Sequence, residues 1–568
     1  AIGAYTYTNG EERTYRSTMK LSGDRVLGPS ELKHKMGKTI YKTFQATAEY
    51  NKTIGGHTFG ILAGYSWEQE DYRYVQGSRD KFPGNDLPYL NAGSPDNQKS
   101  EGTGNAWAIQ SGFGRLRYNF NERYLFESTV RYDGSSRFPQ SKKFGFFPSV
   151  AAGWRLSEEN FFKENESLGF ISNLKLKVSW GRLGNQNIGN YPYQSVYELG
   201  QNYPFGDTYT QGAAVTTAVD PTIKWEETET IDGGLEAVFW NGLLSVNASY
   251  FNRRTYDILY KPSGSVSTIL GQKISEMNTG ELKNFGWEFE VGHRNKIGDV
   301  SYNVNANLSI IKNKLTTLGV GNVEQLNGMV GNGSDLFIGY PIQMYYGYVS
   351  DGVFLDENDI KSWYDQSKVT PNPQPGDIRY KDISGPDGVP DGKIDPNYDR
   401  VYLGSRIPKF TFGLNLGVEY KGLDLSVLLQ GVAGVTGMLD GFAGWAFRGD
   451  GNIQKWQAEG RFDPANPTRY PAYPRLEDLS NSTTPNIVTS DFWTQDASYI
   501  RLKNIQLGYT FPKKMLQAAK ISNLRVYVQA ENPLCWNKYK PGWDPEINTS
   551  GNYYPILATY TFGVNFKF

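Results

Sequence analysis

Cysteine is almost absent: of 568 residues only Cys535 carries a thiol. No disulfide can form within the chain, and a lone thiol of this kind reads as a small buried hydrophobe. Histidine is nearly as scarce, with His34, His57 and His293 alone. An excess of charge is also lacking. The net charge of −1 gives no bulk reason to expect a nucleic-acid partner. Long apolar runs are missing, and none approaches the ~18 residues of a membrane helix. The mean hydropathy of −0.54 resembles that of a water-soluble chain. That average misleads where lipid-facing and lumen-facing residues alternate along strands and cancel. No Met or signal peptide opens the chain at Ala1, which is read as a mature or truncated piece of something longer.

What is present is aromatic residues and glycine: 39 Tyr, 30 Phe, 13 Trp and 63 Gly, the composition of many strands joined by turns. The apolar period is two. Phe410, Phe412, Leu414, Leu416, Val418 and Tyr420 alternate with Thr411, Gly413, Asn415, Gly417 and Glu419, and beyond Lys421-Gly422 the pattern returns through Leu423, Leu425, Val427 and Leu429. Ile231 to Phe239 meets Leu244 to Tyr250 across Asn241-Gly242, a strong hairpin signal. Fifteen such strands are expected, at about 38–50, 58–67, 108–120, 124–133, 147–156, 173–180, 228–240, 243–252, 285–292, 301–310, 410–420, 423–431, 499–511, 524–531 and 558–568.

The connections alternate between short and long. Short ones fall at 51–57, 121–123, 241–242, 293–300 and 421–422, with 157–172 and 512–523 intermediate; long ones fall at 68–107, 181–227, 253–284, 311–409, 432–498 and 532–557. The pattern predicts an all-β transmembrane antiparallel barrel with long extracellular loops and short periplasmic turns, rather than a soluble sandwich or propeller. The last strand, Tyr560, Phe562, Val564, Phe566 and Phe568, resembles the signal read by the barrel-assembly machinery, which places the C-terminus in the periplasm. An odd strand count means either a strand missed within 1–20 or a barrel that begins before Ala1, and the second reading is preferred.

Several long stretches resemble the SusC-like branch of TonB-dependent outer-membrane transporters: YIRLKNIQLGYTFPKK (499–514), WEETETIDGGLEAVFWNGLLSVNASYFNRRTYDILY (225–260), NTGELKNFGWEFEV (278–291), RYDGSSRFPQSKKFGFFPSVAAGWRLSEENFF (131–162), VSWGRLGNQNIGNYPY (178–193) and GDIRYKDISGPDGVPDGKID (376–395). The resemblance implies a barrel of about 22 strands around an N-terminal plug. This chain, residues 1–568, would then be the C-terminal part of that barrel, with about 15 of the strands, and the plug and first strands would lie before Ala1. It further implies a SusD-like surface lipoprotein as partner, TonB contact through the missing plug, and import of oligosaccharides, with peptides a minority. The alternative is a passive porin or a structural or adhesion barrel. Outer-membrane lipid is a partner in either case.

Catalytic signals are poor, and no enzyme activity is expected. His57 and His293 fall in or beside expected periplasmic turns, leaving only His34 for a Ser-His-Asp arrangement. GRLGNQNIG (181–189) is Gly-rich but lies in an expected outer loop, not between a strand and a helix. The candidate calcium site is the acidic loop with Asp382, Asp391, Asp395 and Asp399, where DGKID (391–395) resembles part of an EF-hand loop. Pro386 to Pro390 interrupt that spacing and no Glu closes it, so a solvated acidic loop is the competing reading. Among the loop aromatics, Trp363, Tyr364, Trp445, Trp456, Trp493 and Trp536 are the candidate substrate contacts, while Trp180, Trp240 and Trp287 are assigned to the interface girdles or barrel wall. Loops 311–409 and 432–498 far exceed usual lengths. They are expected to be ordered and to form much of the contact with the lipoprotein, over more than about 2,000 Å², so that deleting 360–400 should weaken it.

Overall fold

The computed structural model describes residues 1–568 apart from 263–268, 270, 320–322, 325–327, 333–334, 479–484, 518–519, 541 and 548–553. Sixteen strands form one antiparallel sheet in strict chain order. They are β1 Ile2–Arg16, β2 Glu31–Ile54, β3 His57–Asp80, β4 Lys99–Phe120, β5 Tyr124–Ser135, β6 Phe144–Arg155, β7 Ile171–Asn185, β8 Glu226–Phe239, β9 Leu244–Tyr256, β10 Glu281–Ile297, β11 Val300–Thr317, β12 Phe410–Tyr420, β13 Leu423–Ala433, β14 Tyr499–Thr510, β15 Asn523–Asn537 and β16 Thr559–Lys567. The expected fifteen are all present. The sixteenth, β1, lies within 1–20, the stretch open to a further strand; its alternation of Tyr5 and Tyr7 with Thr6 and Thr8 lapses in the polar run Asn9 to Arg13. It pairs Ile2 with Gln45 and Arg16 with Glu31. Among the described residues β1 pairs only with β2, and β16 only with β15.

Alternation fixes which face is which. On β3 the residues Phe59, Ile61, Ala63, Tyr65 and Trp67 share one face, and register places Tyr50, Ala48, Ala46 and Phe44 of β2 beside Ile61, Ala63, Tyr65 and Trp67. Their exposed members, among them Tyr50, Ile61 and Tyr65, join Val130, Val178, Val291, Leu425, Val528 and Val564 of other strands in an apolar band far larger than a water-soluble surface carries. Aromatic rows border it. At the short-turn end His57 and Phe120 lie 4.6 Å apart and Phe170 and Trp240 5.8 Å. At the other end Tyr132 stacks on Phe144 at 4.9 Å and Tyr250 meets Trp287 at 5.2 Å. The opposite face is polar, with Glu236 between Lys175 and Lys177 (3.2 and 3.0 Å) and Arg117 on Glu49 at 2.6 Å.

Several strands run past the band. β2 and β3 are 24 residues each, against the ~9–11 needed to cross lipid. Above the band both faces are wet, so alternation fades while the backbone ladder continues, and the expected loop 68–107 is strand up to Asp80 and again from Lys99. At the short-turn end the chain reverses in turns such as Gly55-Gly56 and Gly298-Asp299. The reversal at Lys421-Gly422 requires its glycine: φ is +90°, and a Cβ would meet Thr510 O at 2.5 Å. The C-terminus lies at the short-turn end, β1 enters partway up the wall with Ile2 opposite Gln45, and the long segments all emerge at the other end.

Candidate functional site

The two longest connections fold into one body above the wall. Its core holds Tyr348, Val353, Ile378, Tyr380 and Ile394 from the first, Leu439, Ala443, Phe462, Tyr473 and Trp493 from the second, and Tyr539 from the last outer connection. Backbone bonds join the two loops: Tyr348 N–H donates to Thr489 O (3.0 Å), Val353 N–H to Arg469 O and Arg475 N–H to Gly376 O (both 2.9 Å). The first pairing puts Gly347 against Thr489, and the second puts Gly352 at φ +79°, where a Cβ would come within 2.2 Å of Arg469 O. Local pairings complete the body, with Met344–Tyr348 on Arg400–Ser405 and Ser350–Val353 near Ile378–Tyr380.

Charge is built into that body. Arg379 reaches Asp351 and Asp359, and Asp359 also takes Arg469 from the second loop. Asp377, fully buried, accepts from Arg475 and from Asn486 Nδ2 (2.8 Å), and Asn486 Oδ1 in turn accepts from Ile378 N–H (2.9 Å). Burial pushes the Glu477 carboxyl above its ordinary range, against the pull of Arg475 and Asn486. Burial works the same way on Asp359, but hydrogen bonds from Arg469 and Leu355 N–H and the charge of Arg379 hold it below the usual range.

The sequence-selected aromatics do not converge on one site. Trp493 is 1% exposed and donates to Asn486 O at 2.7 Å; it is core. Trp456 lies edge-on to Tyr473 at 5.4 Å, and Trp445 is half-buried against the same core under Arg448. Trp363 donates to Tyr380 O (2.9 Å) and lies 3.7 Å beneath the Arg379 guanidinium, with the more exposed Tyr364 beside it. Trp536 is not in a loop: it stands on β15 paired with Ile500 and flanked by Leu534, all three exposed apolar side chains of the wall. The histidines are dispersed, His34 on Glu11 and His57 on Tyr118 (both 2.9 Å), and His293 against Tyr302.

The four acidic residues proposed for calcium serve the loop's own backbone. Asp399 accepts from Ile383, Ser384 and Asp395 N–H (2.7, 3.1 and 2.6 Å), Asp382 from Gly392 N–H (2.6 Å) and Asp391 from Lys393 N–H (3.0 Å). Asp395 pairs with the Lys368 ammonium. Burial pushes Asp399 up, with those N–H bonds opposing it. Calcium takes about six to eight oxygens around one point. No group of three His, Cys, Asp or Glu side chains converges among the described residues, so this arrangement does not fit the ion.

The strands carry what the loops do not. Above the band, on the polar face, Tyr41 Oη donates to Glu68 Oε2 (2.7 Å) and Trp107 Nε1 to Glu70 Oε1 (3.2 Å). Register sets Tyr41 opposite Glu70, and Glu70 opposite Trp107. The candidate contacts read from the sequence lie in expected loops and do not include this row; its signal is Glu68, Glu70, Tyr72 and Tyr74 at alternate positions. Lower on the same face, a cavity of about 710 Å³ is lined by Asn51, Arg117, Asn119, Glu127, Lys175 and Lys177 among others.

Known proteins share this architecture. TonB-dependent receptor P3 of Formosa agariphila is 27% identical over 99% of this chain and 56% of its own length. TonB-dependent receptor SusC of Bacteroides thetaiotaomicron is 28% identical over 95% of this chain and 50% of its own. The chain therefore spans about half the length of the curated relatives it matches. Among solved structures, the RagAB peptide transporter superposes with a TM-score of 0.78 at 24% identity, covering 99% of this chain and 59% of that one, which shows the shared fold. With residues 2–532 matching its TonB dependent receptor-like, beta-barrel description, the chain belongs to this outer-membrane family.

Proposed function

We propose that this chain forms the greater part of the barrel wall of an outer-membrane importer, energised through TonB, that takes up oligosaccharides or peptides together with a SusD-like surface lipoprotein. The observation that carries the reading is a lipid-facing wall with a separately packed body at its long-loop end only. A passive channel needs no such body. The names of the relatives, SusC and the RagAB peptide transporter, support nutrient import.

In this reading the short-turn end and the C-terminus face the periplasm, and the lipoprotein seats on the loop body. Exposed Tyr470 and Phe442 are the side chains to alter there. Deleting 360–400 would remove Ile378, Tyr380 and Ile394 from the core and unfold the body itself. Unpaired strand edges in lipid cost several kcal/mol per orphaned group, so β1 and β16 meet further strands of the same wall, and the TonB contact lies outside these residues.

The test is uptake. Cells carrying the full-length gene should accumulate labelled substrate, losing uptake when TonB is deleted or the proton-motive force collapsed, and Tyr470→Asp with Phe442→Asp should reduce co-purifying lipoprotein. Uptake unchanged without TonB would replace this reading with a passive pore.

A further inference from the structure

We propose that the inner wall above the apolar band holds a subsite for a neutral, hydroxyl-rich ligand, an oligosaccharide unit, centred on Tyr41, Glu68, Glu70, Tyr72 and Trp107. The proposal rests on the import reading and names the substrate class it would serve.

The five side chains share one face. Tyr41, Glu70 and Trp107 are consecutive cross-strand neighbours on β2, β3 and β4, Glu68 pairs with Thr43, and Tyr72 pairs with Thr39. That face is continuous with Glu49 and Arg117 lower down and opposite to Phe44, Tyr65 and Trp67, so it looks away from lipid. All five are half-buried, neither packed into a core nor freely solvated. Gly37 lies beside the Tyr72 ring, where a Cβ would be in ordinary van der Waals contact at 3.5 Å, so the backbone leaves that ring room. Tyr41 and Trp107, their rings 6.4 Å apart and tilted by 52°, form an angled wall.

The polar atoms are arranged for hydroxyl groups. Tyr41 and Trp107 each use their donor on one oxygen of a carboxylate. The other oxygens, Glu68 Oε1 and Glu70 Oε2, accept no hydrogen bond from the described residues and remain for a ligand's hydroxyls. Aromatic faces beside such acceptors suit a ring with an apolar face and a hydroxylated rim. A cationic ligand is less well served, because the chain supplies its own cations: the Arg137 guanidinium lies 5.4 Å from the Trp107 ring centre and the Lys35 ammonium 4.4 Å from that of Tyr74. Arg137 is anchored beside the row by donating to Gln186 O and Ile188 O (3.2 and 2.6 Å). Both signs of charge therefore stand along this wall, which suits a neutral ligand.

The experiment uses the full-length transporter purified with its lipoprotein. The probes are neutral hexasaccharides of α-linked glucose, β-linked glucose, xylose and mannose, and two hexapeptides, one neutral and one with two lysines. Calorimetry should find at least one saccharide bound, with affinity reduced about tenfold or more in each of Trp107→Ala, Tyr72→Ala and Glu70→Gln, and unchanged in Trp287→Ala on the outer face. Retained lipoprotein co-purification shows that each variant has folded. Binding of no saccharide, binding of peptides alone, or saccharide binding indifferent to the three inner variants overturns the proposal. Cellular uptake of the bound saccharide separates the two readings. Uptake that needs TonB but ignores the inner variants sinks the subsite alone, and uptake that never needs TonB sinks the import reading.

Discussion

Trp493 and Trp536 were chosen from the sequence for the same reason, an indole in an expected outer loop, and the structure separates them completely. Neither fate was legible locally. Trp493 is buried in a core that its own loop builds with residues such as Tyr473 and shares with the upstream loop, and Trp536 sits on a strand that runs further than its alternation shows. Trp493→Ala should therefore destabilise the loop body by about 3–5 kcal/mol. Limited proteolysis should cut the loops of that variant faster while the wall stays resistant, and Trp536→Ala should leave loop cleavage unchanged. Glu477 gives a pH dependence of definite sign. Its carboxyl is raised above the ordinary 4.5 by burial, so its contribution to stability is fully present below that value and is lost as pH rises through the raised folded value. Asp359, depressed below 3.8, acts oppositely: its contribution is present above 3.8 and lost as pH falls through its lower folded value. Protection of the loops from protease should thus fall as pH is raised above 4.5, and Glu477→Gln should flatten that fall without altering the loss in stronger acid.

Among the elements, strands inside the lipid were legible because one face must be apolar and the other need not be. The limits of that signal are the limits of the bilayer. β12 and β13, which carry clean alternation, match the expected bounds within two residues, whereas β2 and β3 show the signal over only part of their length and β1, whose alternation lapses after Thr8, is legible only as the open place within 1–20. The loop body was legible only as an expectation of order, because its core comes from short apolar pieces such as Met344–Tyr348 and Ile378–Tyr380 that no period connects. The two faces of β13 should tolerate charge very differently. Val427, on the apolar face and paired with Leu416 and Ile505, should cost about 2–4 kcal/mol when replaced by Arg. Ser426→Arg, on the inner face, should cost far less. Heat-modifiable gel mobility after refolding into lipid vesicles compares them.

At the scale of the molecule, an apolar band holds the wall in lipid, and every long segment leaves by one rim. The account requires that this rim be the outer surface of the cell. Replacing Cys535 with Ser removes the one thiol of residues 1–568; with any cysteine elsewhere in the full-length protein replaced as well, single cysteines can be placed at exposed Asp387 in the loop body and exposed Asp299 in a short turn. A membrane-impermeant maleimide added to intact cells should label Asp387→Cys and leave Asp299→Cys unlabelled until the outer membrane is opened. Labelling of Asp299→Cys on intact cells, with Asp387→Cys protected, would contradict the orientation on which the lipoprotein seat, the subsite and the import reading all depend.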